Sequence, residues 1–359
     1  MEQVTIVGRG ALGILYGHAL TQCLGPDKVT FLAEGERLNQ LRQEEAWCNG
    51  EPCQFQVTDH LEGPAQLLLF AVKAPDLEEA MELAAPYVDA CSTDVMGNLI
   101  CHKKGPGSRV LFCAHMDSIG CIVTHIEKEG FLRFGKVGGL HPHSILHTPV
   151  RFKSGVQGVI SLDEGVEPKD MTLDDLYIDI GAHDADEAKA MVQIGDTAVY
   201  NTPTFAAGDR LVSPYMDNRI SCVVLLLAME QLQTSENDLY FVFTTQEELG
   251  LRGAKTVAYA VDPDYGIAVD VTLSGDELGT KHRGSSIQGG GAAIKVMDSS
   301  VICHPEMVQK LSELARERVI PAQMDVIKSG GTDAGSIHTT RMGVLTGGIS
   351  IPCRYVHSP

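Results

Sequence analysis

Several apolar runs of strand length in this chain end in residues of the types that bind metal ions. Such runs start at Arg109, Leu239 and Tyr265, and a fourth spans residues 344–352. The carboxyl ends of the strands in an open α/β sheet meet at one edge, and ligands bind there. The sequence therefore predicts an α/β fold in which the polar residues that close these runs form one site. Those residues are His115, Glu247, Glu248, Asp270 and His357.

A sixth candidate, Asp217, stands just before residues 220–232, an apolar segment with helical character. Taken singly, Asp217 could be a helix N-cap, Asp270 a solvated strand end, and Glu247 with Glu248 an acidic loop. Their joint occurrence in one α/β pattern favours a shared metal centre. Histidine and carboxylate ligands without thiolate suit zinc, cobalt or manganese in an open catalytic site. A pair of such ions needs a carboxylate that bridges them.

The adjacent pair Glu247 and Glu248 suits a two-metal hydrolase, because one carboxylate can bind a metal while its neighbour moves a proton. Asp117 follows His115 by two positions in an extended segment, so both side chains face the same way. We expect the Asp117 carboxylate to orient the His115 ring, as carboxylates commonly do behind histidine ligands.

Two other polar segments deserve comparison with this set. His141, His143 and His147 could form a further metal site, but solvated loop histidines are the better interpretation. Residues 330–333, Gly-Gly-Thr-Asp, are compatible both with a ligand-binding loop and with a tight turn.

The chain of 359 residues carries 47 acidic and 28 basic residues, for a formal net charge of −19. This charge argues against a nucleic-acid or anionic-membrane partner. No apolar run reaches membrane-spanning length, and the N-terminus lacks the pattern of a signal peptide. The ten cysteines include no C-x-x-C pair. These features predict a cytoplasmic protein with reduced thiols.

The predicted pattern of helices and strands changes along the chain. Residues 1–88 alternate strand and helix patterns, which is typical of βαβ units with a parallel sheet. Residues 120–200 are rich in glycine and short β-runs, and they predict a small β-rich module inserted into a larger domain. That larger domain would comprise 89–119 and 201–359, and its first strand is expected over residues 95–101.

Gly8, Gly10 and Gly13 follow the first predicted strand and open a helix, as in the dinucleotide-binding fingerprint. Such glycines let a pyrophosphate approach the helix N-terminus. Glu34 ends the second predicted strand, where an acid would bind an adenosine ribose hydroxyl. A glycine-rich turn without a ligand is the alternative, and the strand–helix context favours dinucleotide binding slightly.

Residues 1–88 resemble the N-terminal part of ketopantoate reductase. The resemblance rests on Thr5-Ile-Val-Gly-Arg-Gly-Ala-Leu-Gly, Val29-Thr-Phe-Leu-Ala-Glu-Gly-Glu-Arg and Leu69-Phe-Ala-Val-Lys. It implies that Lys73 lies near a nicotinamide. Because that family usually has an arginine where this chain has Glu34, it implies NAD rather than NADP as the cofactor. The family's second mononucleotide half and catalytic lysine have no counterpart here, so no means of ketone reduction is visible.

Residues 87–359 resemble the tetrahedral-type, or glutamyl, aminopeptidases, which use two co-catalytic metal ions. The strings that carry the resemblance are Asp94-Val-Met-Gly-Asn-Leu-Ile, Ala114-His-Met-Asp, Leu176-Tyr-Ile-Asp-Ile-Gly-Ala, Tyr215-Met-Asp-Asn-Arg, Thr245-Gln-Glu-Glu-Leu-Gly-Leu-Arg-Gly-Ala, Ser329-Gly-Gly-Thr-Asp-Ala-Gly and Ile351-Pro-Cys-Arg-Tyr-Val-His-Ser-Pro. These strings are long, specific and in the family's order.

The resemblance implies a peptide substrate and a role for each candidate residue. It assigns His115 and Asp270 to one metal, Glu248 and His357 to the other, and Asp217 to both as a bridge. Glu247 would be the general base, and Asp117 would stand behind the ligands. The resemblance also makes the β-rich insertion a dimerisation module, so a homo-oligomer is expected. The ligand types favour zinc or cobalt, with manganese as a further choice.

The sequence departs from the aminopeptidase pattern at both ends. The reductase-like segment replaces most of the helical segment that normally precedes the first strand of the family, so the catalytic domain is expected to be truncated. Family members also continue beyond the string that ends this sequence, which leaves His357 near an end that is expected to fray. Two alternatives therefore stay open: an NAD-binding oxidoreductase-like protein and a catalytically impaired fusion.

Overall fold

The computed structural model describes residues 4–7, 17, 20–21, 25–33, 35–43, 46–48, 51–59, 67–70, 87–279 and 284–359. Over these residues the protein has a mixed α/β fold, as the sequence predicts. The predicted cofactor residues lie outside the described residues, and the dinucleotide site stays a prediction. They are Gly8, Gly10, Gly13, Glu34 and Lys73.

The first part of the chain contains a parallel sheet. Its elements are β1 (Val4–Val7), β2 (Val29–Leu32), α1 (Gly35–Gln43), β3 (Ala46–Cys48), β4 (Glu51–Cys53), β5 (Gln56–Thr58) and β6 (Leu67–Phe70). Four of the described strands pair in the order β5-β2-β1-β6, all parallel. Val4, Ile6, Val29 and Phe31 form a fully buried cluster, which explains why these short runs are continuously apolar.

The largest sheet begins with β7 (Ala90–Thr93), β8 (Leu99–Lys103) and β9 (Arg109–His115). The prediction of one strand over 95–101 is wrong, because a turn separates β7 from β8. The Asp94 carboxylate accepts hydrogen bonds from the backbone N–H groups of Met96 and Asn98 at 2.9 and 3.0 Å. Such local bonds compete with the pairing of a strand.

A closed barrel follows. Its elements are β10 (Gly120–Ile126), β11 (Leu132–Val137), α2 (Pro142–Ile145), β12 (Pro149–Phe152), β13 (Gln157–Leu162), β14 (Leu176–Asp179), α3 (Ala185–Met191) and β15 (Thr197–Tyr200). Leu132, Ile160 and Ile178 fill its interior and are fully buried, whereas Val159 next to Ile160 is exposed. The barrel strands lie within the predicted β-rich segment. The division into domains and the role in dimerisation stay predictions.

The remaining elements are a separate two-stranded hairpin, β16–β17, and those that complete the largest sheet with its helices. They are β16 (Phe205–Ala207), β17 (Arg210–Val212), α4 (Met216–Gln231), β18 (Asp238–Thr244), α5 (Arg252–Val261), β19 (Tyr265–Leu273), β20 (Ala292–Met297), α6 (Pro305–Glu317), β21 (Ala322–Val326), α7 (Ala334–Ile337) and β22 (Leu345–Cys353). The helix predicted over 220–232 is present as α4, which begins earlier and includes Asp217.

Within the described part of the chain, the largest sheet has eight strands in the order β21-β20-β22-β19-β9-β18-β8-β7. Its four central strands, β22, β19, β9 and β18, are mutually parallel. Their carboxyl ends therefore lie at the same edge, and the polar residues that close them are brought together there.

Both faces of this sheet are covered by helices. Phe241 and Phe243 pack with Leu225 of α4 on one face. On the other face, Val242 packs with Val257 of α5. Each such buried side chain stabilises the fold by roughly 1.5–3 kcal/mol. The strand ends are therefore positioned by a well-packed core. No described helix combines the length and the apolar character needed to cross a membrane.

Candidate metal centre

The carboxyl edge of the central strands gathers all six candidate ligand and base residues. His115 is the last residue of β9, and Asp270 lies in β19. Glu247 and Glu248 follow the end of β18, and His357 follows the end of β22. Asp217 reaches the same edge from the first turn of α4.

The Asp217 carboxylate lies between two histidines. Its Oδ1 is 3.0 Å from His115 Nε2, and its Oδ2 is 3.3 Å from His357 Nε2. Among the described residues, two groups have candidate ligand atoms within 4.8 Å of one another, and Asp217 belongs to both. The first group adds His115 and Asp270, and the second adds Glu248 and His357.

These residues fit a pair of divalent cations. Asp217 Oδ1 is buried, and although it lies 3.0 Å from His115 Nε2, it accepts no well-aligned hydrogen bond from the described residues. Leaving a buried carboxylate oxygen unsatisfied is costly, and a cation would satisfy it. The two groups contain only imidazole and carboxylate donors, which zinc, cobalt and manganese accept in open sites. The prediction of a shared centre is consistent with this arrangement, and the role of each ligand stays a prediction.

The two histidines are held in their protonated form when only protein groups surround them. Burial disfavours the charge of His115, but Asp270 and Asp217 raise the pKa of its imidazole well above the ordinary value. Burial also opposes protonation of His357, yet Asp217 and Glu248 raise its pKa to about 10. A metal binds the neutral imidazole, so metal binding must release these protons.

Glu247 differs from its neighbour Glu248 in environment. Both side chains are largely buried, but Glu248 Oε2 lies 3.3 Å from His357 Nε2 and belongs to the second group. Glu247 Oε2 is 3.9 Å from His115 Nε2, and Glu247 belongs to neither ligand group. Burial raises the pKa of Glu247 well above its ordinary value, against the opposing charge of His115. A carboxyl group with a raised pKa is suited to accept and return a proton near neutral pH.

Asp117 acts on the site differently from what the sequence suggests. The His115 Nδ1–H group donates to the backbone carbonyl of Asp117 at 3.1 Å, while the Asp117 carboxylate is 3.6 Å away. That carboxylate instead accepts hydrogen bonds from the backbone N–H groups of Glu247 and Glu248, at 3.1 and 3.2 Å. Asp117 therefore fixes the backbone of both glutamates as well as the tautomer of the histidine.

Asp333 is buried beside the site but belongs to neither ligand group of the described residues. Its Oδ2 accepts a hydrogen bond from Thr244, the last residue of β18, at 2.5 Å. Burial raises the pKa of Asp333 to about 7. Residues 330–333 therefore contribute a side chain that supports the end of β18. His141, His143 and His147 are exposed and also lie outside both groups.

Comparisons with known proteins identify the family of this chain. The profile of the M42 glutamyl aminopeptidase family matches residues 97–359, which is more than half of the chain. The chain belongs to the M42 glutamyl aminopeptidase family. It is thus an enzyme, a metal-dependent aminopeptidase. A second profile, ketopantoate reductase PanE/ApbA, matches residues 4–98.

Individual relatives cover most of the same region. A putative aminopeptidase of Acetivibrio thermocellus is 47% identical over 283 residues, which is 79% of this chain and 86% of that protein. The structure of an aminopeptidase from the archaeon Desulfurococcus kamchatkensis aligns with a TM-score of 0.76 at 38% identity, covering 79% and 83% of the two chains. The TET1 peptidase of Pyrococcus horikoshii aligns with a TM-score of 0.70 at 30% identity, covering 79% and 87%.

Asn98 supports the glutamate loop and was missed by the sequence analysis. Its side chain is fully buried, and its Oδ1 accepts a hydrogen bond from Thr245 N at 2.9 Å. Its Nδ2 donates to the Gly253 carbonyl at 3.1 Å. Asn98 thus holds both ends of the loop that carries Glu247 and Glu248. The only signal in the sequence was its place in a string of family resemblance, since a lone asparagine is otherwise typical of any turn.

Two glycines after β11 bring the barrel against the second ligand group. A Cβ atom at Gly139 would lie 2.6 Å from His357 Nδ1. At Gly138, where φ is +78°, a Cβ atom would lie 3.2 Å from Glu248 Oε2. Only glycine leaves room for both side chains at this approach.

Substituting Gly139→Ala is expected to displace the His357 ring and to disable the second ligand group while the first persists. We expect the purified variant to retain one tightly bound ion after dialysis against zinc and then metal-free buffer, measured by elemental mass spectrometry. Gly135→Ala is the matched control, because its Cβ would meet its nearest neighbour, Thr124, at an ordinary 3.4 Å. Equal metal content in both variants would contradict this account of Gly139.

The pKa of about 10 for His357 predicts that protons compete with metal at the second group. The imidazole is protonated below that pH and must lose its proton to bind, so apparent affinity should rise from about pH 7 to about pH 9. Calorimetric titration of the metal-free protein with zinc in buffers of different ionisation enthalpy gives the number of protons released. The His357→Ala variant should release about one proton fewer when zinc binds. An unchanged number of released protons would argue against His357 as a metal ligand.

Proposed function

We propose that this enzyme removes N-terminal residues from peptides with a water molecule activated at a two-metal centre, and that Glu247 is the general base. The observation that carries the proposal is the position of Asp217, whose Oδ1 lies 3.0 Å from His115 Nε2 and whose Oδ2 lies 3.3 Å from His357 Nε2. A carboxylate shared between two ligand groups is what a pair of closely spaced cations requires.

When bound, a pair of divalent cations supplies Lewis acidity and lowers the pKa of water at the site. His115, Asp270 and Asp217 would hold one ion, and Asp217, Glu248 and His357 the other. Glu247 has no place in either group and is free to accept a proton from water and to deliver it to the amine that leaves. The buried setting of Glu247 keeps its proton affinity high enough for both steps.

The surrounding residues position these groups. Asp117 holds the backbone of Glu247 and Glu248 through two hydrogen bonds, and Asn98 holds Thr245 at the start of the same loop. Because the glutamates are fixed through their backbone, their side chains can differ in task although they are adjacent. Positioning of this kind lowers the entropic cost of the reaction.

Substituting Glu247→Gln should leave metal binding intact and lower turnover of a short peptide by about 10²–10⁴-fold, because the amide cannot accept the proton. The measurements are metal content per chain and the rate of release of the N-terminal amino acid in the presence of zinc or cobalt. Glu317→Gln, at an exposed position on α6, is the matched control. Ordinary turnover in Glu247→Gln would rule out Glu247 as the base, and absence of metal-stimulated hydrolysis in the unmodified protein would rule out the proposed function.

We also propose that the chain forms a homo-oligomer through the barrel. The TET1 peptidase of Pyrococcus horikoshii is described as assembling into a tetrahedron or a large octahedral shell. The likeness of this chain to TET1 supports assembly of several copies of this chain. The proposal that the copies contact each other through the barrel rests on the family resemblance of the segment 120–200.

NAD binding by the first part of the chain is a second candidate function. It is favoured by the parallel arrangement of β1, β2 and β6 and by the match of residues 4–98 to ketopantoate reductase. We expect the fluorescence of NADH to increase when the protein is added, and Gly10→Val to abolish the increase by blocking the approach of the pyrophosphate. Unchanged NADH fluorescence with the unmodified protein would discard this function.

A further inference from the structure

Two cysteines outside the metal centre face each other at the edge of the largest sheet. Cys91 of β7 and Cys101 of β8 are direct partners in the antiparallel register. Their Sγ atoms are 3.2 Å apart. Both are free thiols in the structure.

The backbone at this pair has the geometry that a disulfide needs. Asp94 N donates to the Asn98 carbonyl at 3.1 Å, so the residue pair nearest the turn is a hydrogen-bonded one. Hydrogen-bonded and non-hydrogen-bonded residue pairs alternate along an antiparallel ladder. Cys91–Cys101 is the third pair after Asp94–Asn98 in the register, so it is a non-hydrogen-bonded pair. Such pairs have Cα atoms about 4.5 Å apart, inside the range of about 4.4–6.8 Å found for disulfides. A pair at this separation, with sulfur atoms already 3.2 Å apart, is in the range that a disulfide can bridge.

The two thiols differ in access. Cys91 is exposed, whereas Cys101 is fully buried against the core of the sheet. The hydrogen bond from the Cys101 thiol lowers the pKa of Cys91. An oxidant therefore meets Cys91 first, and Cys101 is reached only through it. This division is the one expected of an attacking and a resolving cysteine.

We propose that Cys91 and Cys101 are a redox modification site, which a peroxide converts into an intramolecular disulfide across β7 and β8. The Cys91 thiolate attacks one oxygen of hydrogen peroxide, the O–O bond breaks, and water leaves after protonation, giving a sulfenic acid at Cys91. The Cys101 sulfur then attacks the Cys91 sulfur, the S–O bond breaks, and the Cys101 proton leaves with that oxygen as a second water. Two electrons pass from the sulfurs to the peroxide.

The hairpin that this disulfide would close also supports the glutamate loop. Its tip carries Asn98, which binds Thr245, and its outer strand β7 is exposed along its whole length. Within the described residues, β7 pairs only with β8. A covalent bond between the two strands would therefore fix the base of the hairpin to the sheet.

The test is peptide mass analysis of the full-length protein after treatment with hydrogen peroxide. Residues 74–103 form one tryptic peptide that contains these two cysteines and no other. We expect the peptide to lose two hydrogen atoms and to resist alkylation after unfolding until a reductant is added. The loss should occur at the same rate in dilute and concentrated protein, because the reaction is intramolecular.

A displaced thiol provides the matched control. The double variant Cys91→Ser with Thr93→Cys keeps a cysteine on β7 but moves it opposite Leu99, about 7–8 Å from the residue it must reach. This variant should show no linked peptide. The proposal would be overturned if both cysteines of the unmodified protein stayed open to alkylation after peroxide, if Cys91 alone were oxidised, or if the displaced thiol linked to Cys101 equally fast.

Discussion

The site depends on one buried carboxylate, Asp217, which is shared by two histidines from distant parts of the chain. Four further carboxylates, from Asp117, Glu247, Glu248 and Asp270, lie at the same site, and the mutual repulsion of all five would separate them without compensating positive charge. Protons on the histidines or bound cations supply that charge. The packed sheet and the hydrogen bonds of Asp117 and Asn98 hold the backbone at this sheet edge in place whether protons or cations supply the positive charge.

The sequence predicted what depends on local pattern. Apolar runs that close with polar residues located His115, Asp270 and the two glutamates at one sheet edge, because a parallel sheet aligns its carboxyl ends. It failed where a long-range contact or a local competitor decides the outcome. The strand predicted to start at residue 95 starts only at Leu99, because the Asp94 carboxylate accepts hydrogen bonds from the backbone N–H groups of Met96 and Asn98 in a turn. Two contacts could not be predicted from sequence periodicity because they join residues that are far apart in the chain. They are the hydrogen bonds from the glutamate backbone to Asp117 and the close approach of Gly139 to His357.

The boundary between the two family matches does not coincide with a boundary in the fold. The reductase profile ends at residue 98 and the aminopeptidase profile begins at residue 97. Yet β7, before this point, pairs with β8, after it, in the same sheet. Asn98 itself lies at the junction and is fully buried against the glutamate loop. The aminopeptidase relatives cover 79% of this chain, a share that extends back beyond β7. The edge strand β7 therefore lies in the overlap of the two resemblances and pairs within the sheet that carries the candidate site.

The candidate ligands are spread from residue 115 to residue 357, with the barrel and most of the sheet between them. A ribosome has therefore made nearly all of the described sheet before the second histidine exists. The first group, with His115, Asp217 and Asp270, is complete far earlier than the second. The two candidate groups are therefore completed 87 residues apart in the order of synthesis, at Asp270 and at His357.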